Sequence, residues 1–389
     1  MKTLNGLTLI AGVLFVAGCG DDGTEVASRG PASDRVLKLS PIQSLIDIAA
    51  VSADFNGDGF QDLAVLSVPG TPGSGQDARA SIYYGPLSSS SPAVPAETYA
   101  TADSASGLAA GDLNGDDVPD LLVSQAGNPS ANAPYLGRVH VIYRNAAGET
   151  DVLVGAEAVS VGLADVDGDG RVDILASGSG YLYIVRGLGS GLFEDQVHIA
   201  TSGLWAAGDF DGDGRSDVAL VRQADTTLVD IYRWDNVQGP VLRSTVPFSR
   251  SVTALAAARV DADGHSDLVA GLTDGSGNGE GAVAVALGNG QFSFGAAIER
   301  STGSVSSLAI GDFDGDGFTD IAVTGFAVDG SVACLLGEGT GIFRSGGTLL
   351  PAAPGSLQSS ADLDGDGKGD LIHCAGSSRV YFSPGWFQQ

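Results

Sequence analysis

The stretch SLAIGDFDGDGFTDIAVTG, residues 307–325, decides the fold. Two apolar runs of four or five residues flank an acidic nonapeptide, and these are strand lengths, well short of the roughly ten residues a helix needs. The nonapeptide DFDGDGFTD (312–320) recurs as DFNGDGFQD (54–62), DLNGDDVPD (112–120), DVDGDGRVD (165–173), DFDGDGRSD (209–217), RVDADGHSD (259–267) and DLDGDGKGD (362–370). The seven copies start 44 to 58 residues apart, which suits one four-stranded sheet per copy, and a period of that size marks a propeller or another array.

Working outward, a third apolar segment follows most copies: ASIYYG (80–85), RVHVIYR (138–144), YLYIVRG (181–187), LVDIYRW (228–234), AVAVALG (282–288) and SVACLLG (331–337). Glycine-rich turns such as LGNGQF (287–292) and GEGTGIF (337–343) then lead into a fourth. The residue before each loop is small (Ala53, Gly111, Ala164, Gly208, Ala258, Gly311, Ala361), which lets inner strands crowd around an axis. The second loop residue is always apolar (Phe55, Leu113, Val166, Phe210, Val260, Phe313, Leu363) and is assigned to the core. Radial packing leaves no long exposed sheet edge. The sequence therefore predicts an all-β, seven-bladed β-propeller of four-stranded antiparallel blades over residues 34–389. The last unit runs out after its third strand, so DRVLKLSPI (34–42) is predicted to supply the outer strand of the last blade.

Carboxylates at positions 1, 3, 5 and 9 of so tight a turn converge on one point, while glycine at position 6 allows the backbone angle required. Two carboxylates about 4 Å apart repel by roughly 4 kcal/mol at an effective dielectric near 20. Calcium relieves that repulsion because it accepts about six to eight hard oxygens, whereas magnesium demands stricter octahedral geometry. An EF-hand shares the first five positions but needs an acid at position 12 and flanking helices. Here position 12 from Asp312 is Val323.

At these residues the chain resembles the FG-GAP and VCBS repeat families, whose relatives include the propeller head of integrin α subunits. The resemblance covers roughly residues 45 to 385, and GRVHVIYR (137–144) and LGNGQF (287–292) match the family's strand and turn. It implies structural calcium in loops joining the first and second strands of a blade. The expected ligands are Asp54, Asn56, Asp58 and Asp62; Asp112, Asn114, Asp116 and Asp120; Asp165, Asp167, Asp169 and Asp173; Asp209, Asp211, Asp213 and Asp217; Asp312, Asp314, Asp316 and Asp320; and Asp362, Asp364, Asp366 and Asp370. About six Ca²⁺ sites result. The fifth loop departs from the pattern, with Arg259 in place of the first ligand and Ala262 in place of a glycine. It is predicted to be empty or weak, with the guanidinium partly neutralising Asp261, Asp263 and Asp267. In the second loop Asp117 replaces the glycine at position 6, which aspartate tolerates better than most residues.

With 47 acidic and 19 basic residues the formal charge is −28, which excludes nucleic acid as a partner, since phosphate binding needs clustered Lys and Arg. Residues 1–18 read as a signal peptide, with Lys2 ahead of an apolar run too short to span a bilayer. Val16-Ala17-Gly18-Cys19 resembles a bacterial lipobox, so Cys19 is the expected lipidation site, with ordinary cleavage after Gly18 the alternative. Residues 19–33 would form a flexible tether, and the expected location is extracytoplasmic, anchored to a bacterial membrane, with the outer membrane or cell surface favoured over the inner membrane. Cys334 and Cys374, on strands of neighbouring blades, are expected to be two buried free thiols, with a single bridge between them the alternative.

No catalytic motif emerges. His140, His198, His265 and His373 lie far apart in sequence and form no HExxH pair, and no G-x-S-x-G elbow or P-loop occurs. The expected function is binding or scaffolding of a protein or glycan partner. A calcium-dependent carbohydrate-active enzyme of lyase or dehydratase type is the alternative. The connections VPGTPGSGQDAR (68–79) and AGNPSANAPYLG (126–137), with Tyr135 and Leu136, form a candidate contact surface opposite the calcium loops, or are merely tolerated insertions.

Overall fold

The computed structural model describes residues 36–39, 45–70, 76–90, 94–102, 104–126, 137–145, 148–155, 158–275, 279–325, 332–349, 356–374 and 378–383. The signal and lipidation segment, most of 126–137 and residues 71–75 of the other long connection lie outside them. Seven four-stranded antiparallel sheets form, each an up-and-down meander. From inner to outer strand, blade 1 is Leu45–Ala53, Asp62–Pro69, Ala78–Tyr83 and Glu97–Thr101, and blade 2 is Ala105–Gly111, Asp120–Gln125, Arg138–Ile142 and Glu149–Leu153. Blade 3 is Ser160–Ala164, Asp173–Gly178, Tyr181–Val185 and Val197–Ala200, and blade 4 is Trp205–Gly208, Asp217–Val221, Leu228–Asp235 and Gly239–Pro247. Blade 5 is Ser251–Ala258, Asp267–Thr273, Gly281–Ala286 and Ile298–Ser301, and blade 6 is Val305–Gly311, Asp320–Gly325, Val332–Gly337 and Phe343–Leu349. Blade 7 takes Ser356–Ala361, Asp370–Cys374 and Ser378–Tyr381 from the C-terminal end and Val36–Lys38 from the N-terminal end, paired Val36 to Tyr381 and Lys38 to Arg379.

The burial pattern explains the sequence pattern. Second strands are covered on both faces by adjacent blades, so Asp120–Gln125 and Asp173–Gly178 are buried throughout and carry consecutive, not alternating, apolar residues after the aspartate (Leu121 to Val123 and Ile174 to Ala176). Outer strands meet solvent: Ile298–Ser301 is exposed at every position. Among the described residues the apolar core divides into seven clusters, each drawn from two neighbouring blades, and the cluster joining Leu37, Leu39 and Val380 to Leu63 and Val65 connects the last blade to the first.

Each second loop residue plugs the core shared with the following blade: Phe55, Phe210 and Phe313 are at most 2% exposed. The small residues before the loops are needed where inner strands touch. A Cβ at Gly208 would lie 2.8 Å from the Ala257 Cβ, and one at Gly311 would collide with the Ser360 hydroxyl. Register shifts at Asp47/Ala49, Ala105/Gly107, Val252/Ala254 and Val305/Ser307 bend the inner strands. All acidic loops join first to second strands and so occupy one face of the ring.

Candidate metal centres

Every loop but the fifth is organised around its first aspartate. Asp312 Oδ1 accepts the Gly315 N–H at 2.7 Å and Oδ2 accepts the Gly317 N–H at 2.8 Å. The same pair of bonds forms at Asp54, Asp112, Asp165, Asp209 and Asp362. Gly315 and Gly317 sit at φ +80° and +86°, which brings those N–H groups round to the carboxylate. Asp117 takes the equivalent left-handed angle at φ +65°. Outside the second loop, positions 3 and 5 each receive the N–H two residues on, as from Asp316 to Asp314 Oδ1 (3.2 Å) and from Phe318 to Asp316 Oδ1 (2.9 Å).

The ninth-position aspartates are at most 1% exposed and open the second strands. Asp320 Oδ2 accepts the Phe313 N–H (2.8 Å), and Oδ1 accepts the N–H of Gly337, at the end of the third strand (2.7 Å). Asp62, Asp120, Asp173, Asp267 and Asp370 bridge loop and third strand in the same manner. Burial pushes their carboxyls up, partly offset by these N–H bonds and reinforced by the neighbouring aspartates. Asp173, Asp217 and Asp370 reach about 7, and Asp120, Asp267 and Asp320 about 6. A carboxyl so placed gains by sharing a divalent cation instead of a proton.

Four loops bring three carboxylate oxygens within 4.8 Å of one another: Asp165, Asp167 and Asp173; Asp209, Asp211 and Asp217; Asp312, Asp314 and Asp316; and Asp362, Asp364 and Asp370. The first two loops, with Asn56 and Asn114 at position 3, form no three-carboxylate cluster among the described residues. Two orphaned oxygens test the fit of an ion. Asn114 Oδ1 and Asp217 Oδ1 are buried and have no hydrogen-bond partner among the described residues. An unpaired buried carboxylate oxygen is costly, and a hard, oxygen-seeking cation held by Asp209, Asp211 and Asp217 would satisfy it.

The fifth loop differs more than its sequence suggests. Ala262 stays out of the left-handed region, and Asp261 instead bridges to Thr340 of the next blade. Arg259 is exposed and makes no ion pair with Asp261, Asp263 or Asp267, which corrects the expectation that its guanidinium neutralises them. Without an acceptor at position 1 the turn has nothing to wrap around. Asp267 nonetheless keeps both of its bonds, to Val260 N–H (2.9 Å) and Gly288 N–H (2.8 Å).

Sequence reading missed the cations around the loops. Arg186 Nη1 lies 2.6 Å from Asp167 Oδ2, Arg344 Nη2 lies 2.9 Å from Asp314 Oδ2, and Arg233 spans Asp211 Oδ2 (3.2 Å) and Asp213 Oδ2 (2.6 Å). A weak signal existed, since Arg186 and Arg233 fall at corresponding places in YLYIVRG and LVDIYRW, each one residue past the strand partner of the residue after the ninth-position aspartate. Loops also bind their neighbours. The Ser216, Ser266 and Gly369 N–H groups donate to the first-position carbonyls of the preceding blade's loop, Asp165 (2.8 Å), Asp209 (3.3 Å) and Asp312 (2.6 Å). Lys368 Nζ adds a bond to the Asp314 carbonyl at 2.8 Å.

Away from the loops, His140 does not stand alone. Its Nδ1 faces Asp151 Oδ1 at 2.8 Å and its Nε2 faces Glu149 Oε2 at 3.4 Å, with Arg138 also on Asp151 at 2.8 Å. Glu149 lines a shallow cleft with Tyr99, Ile142, Tyr143 and Gly148 between blades 1 and 2. His373 is wholly buried, with neither ring nitrogen hydrogen-bonded among the described residues, and burial pushes it down to about 4. Cys334 and Cys374 are free and buried, and burial pushes the Cys374 thiol up to about 12.

A comparison with curated proteins finds no significant match. Among solved structures, BBS1N, determined in complex with ARL6DN, aligns over 90% of this chain and 98% of its own with 12% identity and a TM-score of 0.58. The exotype rhamnogalacturonan lyase YesX aligns over 89% of this chain and 76% of its own, with 14% identity and a TM-score of 0.53. A rhamnogalacturonan lyase from Bacillus licheniformis aligns over 90% and 75%, with 14% identity and a TM-score of 0.48. The first two likenesses establish the fold and no more. The family model for the FG-GAP-like repeat matches residues 50–123, 165–220, 259–323 and 312–373, each stretch containing at least one of the acidic loops described above. Those matches take in well over half of the chain, which therefore belongs to the FG-GAP-like repeat family.

Proposed function

We propose that the chain is a calcium-stabilised propeller that works as a membrane-anchored, extracytoplasmic binding or scaffold protein for a protein or glycan partner. The observation that carries the calcium part is the fourth loop. There three carboxylates converge within 4.8 Å and a buried Asp217 oxygen lacks any other partner. The aspartates that could serve catalysis are committed to holding strands together, which favours binding over chemistry. BBS1N, a propeller of similar fold, was solved holding a protein partner. The anchor rests on Cys19 and its lipobox-like setting.

Metal analysis of the mature protein tests the first part: about six calcium ions per chain are expected, and none after EDTA. Labelled palmitate should enter the wild type and not Cys19→Ser. A screen against glycans and surface proteins, with and without chelator, tests binding. Retention that depends on calcium supports the reading.

A second reading is carbohydrate lysis. It is favoured by the fold shared with YesX and by His140, held by Asp151 beside the cleft that Glu149 and Tyr99 line. An unsaturated sugar product that is lost in His140→Ala would establish it in place of binding.

A further inference from the structure

Loops 1 to 4 and 6 split into two kinds by how the third position is neutralised. Where position 3 is asparagine, in the first and second loops, no guanidinium reaches a loop carboxylate; Arg144 touches the first loop only at the Phe55 carbonyl. Where it is aspartate, in the third, fourth and sixth, an arginine from the third or outer strand of the same blade sits on it. The acid that replaces asparagine at position 3 is thus paired with a guanidinium, and the third and fourth loops carry a second one at position 5, Arg171 on Asp169 (2.9 Å) and Arg215 on Asp213 (3.4 Å).

The fourth loop shows what this means for an entering ion. Asp211 Oδ1 already accepts the Asp213 N–H (3.0 Å) and Asp213 Oδ1 the Arg215 N–H (2.9 Å). Their remaining oxygens both face Arg233, at 3.2 and 2.6 Å. The outward oxygens of positions 3 and 5, which a calcium ion would use, are therefore bridged by a planar, permanently charged group whose fork matches them. Asp217 Oδ1, whose counterparts in the other loops accept an N–H from the end of the third strand, has no partner among the described residues, so neither that strand nor the arginine satisfies it. The second loop is the opposite case: Asn114 Oδ1 has no competitor.

We propose that Arg186, Arg233 and Arg344 are resident counter-cations that occupy the third, fourth and sixth loops before calcium does. These arginines make those loops a weaker, later-filling class of site than the first and second. They hold the blades in shape at low calcium and must give up their carboxylate oxygens as the ion enters. The proposal rests on the calcium reading above.

A carboxylate oxygen has more than one lone pair, so an arginine could instead brace a ligand for the ion, and the two roles predict opposite results. The full mature chain is stripped with EDTA, dialysed and titrated with CaCl₂ by calorimetry. Wild type should show two affinity classes. Arg233→Gln should move one ion from the weak class into a class bound about tenfold more tightly, because a positive charge beside the ion is gone. It should also lower the melting temperature in EDTA by about 1 to 2 °C, since the apo loop loses its only cation bridge between positions 3 and 5. Arg233→Lys, which keeps the charge, should stay in the weak class. Arg243→Gln, which removes a charge from an exposed outer-strand position that reaches no loop, should match wild type. Should Arg233→Gln misfold, Arg186→Gln and Arg344→Gln make the same test in the third and sixth loops. Weaker binding in these variants, or isotherms that superimpose on Arg243→Gln, would overturn the proposal and leave the calcium reading standing. A wild type that takes up no calcium would end both.

Discussion

A single aspartate can serve as metal ligand and as structural clamp, and the ninth loop position lets the clamp be tested apart from the proposed metal role. Asp267 sits in the one loop whose first ligand is an arginine, yet it holds the Val260 and Gly288 N–H groups as its counterparts do. Asp267→Asn turns an amide N–H towards a backbone donor and is expected to cost about 1 to 3 kcal/mol in urea unfolding, with the bound calcium count unchanged. Asp217→Asn should cost stability and one calcium ion together. Equal calcium loss in both variants would refute the clamp. The fifth loop makes a second residue-scale point. Arg259→Asp alone restores an acceptor but leaves Ala262 where a left-handed residue is needed and Asp261 bridged to Thr340. Metal analysis should find no added ion in Arg259→Asp and one added ion in the double variant Arg259→Asp, Ala262→Gly.

At the scale of strands and loops, the N-terminal strand is the element that joins the two ends of the chain. Leu37 is 4% and Leu39 1% exposed, both in the core shared by the last and first blades. Leu37→Ala should therefore cost about 3 kcal/mol by cavity formation, measured by chemical unfolding, whereas Val237→Ala, at a turn 93% exposed, should change nothing measurable. The strands themselves were legible because burial on both faces writes itself as a short apolar run, and the loops because their spacing is local. The arginines were harder to read: Arg233 is 20 residues from Asp213 and Arg344 is 30 from Asp314, so only the meander brings each onto its loop. The latch of Tyr84, Tyr99 and Arg144 on Glu97 between the first two blades has the same origin, since Arg144 and Glu97 are 47 residues apart. The second bond of every ninth-position aspartate but Asp217 was hidden too, because its donor lies at the end of the third strand.

For the whole molecule, the ring concentrates buried carboxyls on one face, and with calcium bound as proposed the metal-free and calcium-loaded forms should respond oppositely to pH. Asp173, Asp217 and Asp370 are pushed up to about 7, and Asp120, Asp267 and Asp320 to about 6, above the value near 4 expected in the unfolded chain. Between those limits the folded state binds protons that the unfolded state does not, so stability contributed by these groups is lost as pH rises through 6 to 7 and regained on acidification. In EDTA the melting temperature should therefore be higher at pH 5.5 than at pH 8. In millimolar calcium the order should reverse, because protons now displace an ion that stabilises the fold by mass action. The two melting curves should approach each other as the pH falls and diverge as it rises. If acidification lowers both in parallel, the buried carboxyls are not the groups through which calcium supports the ring.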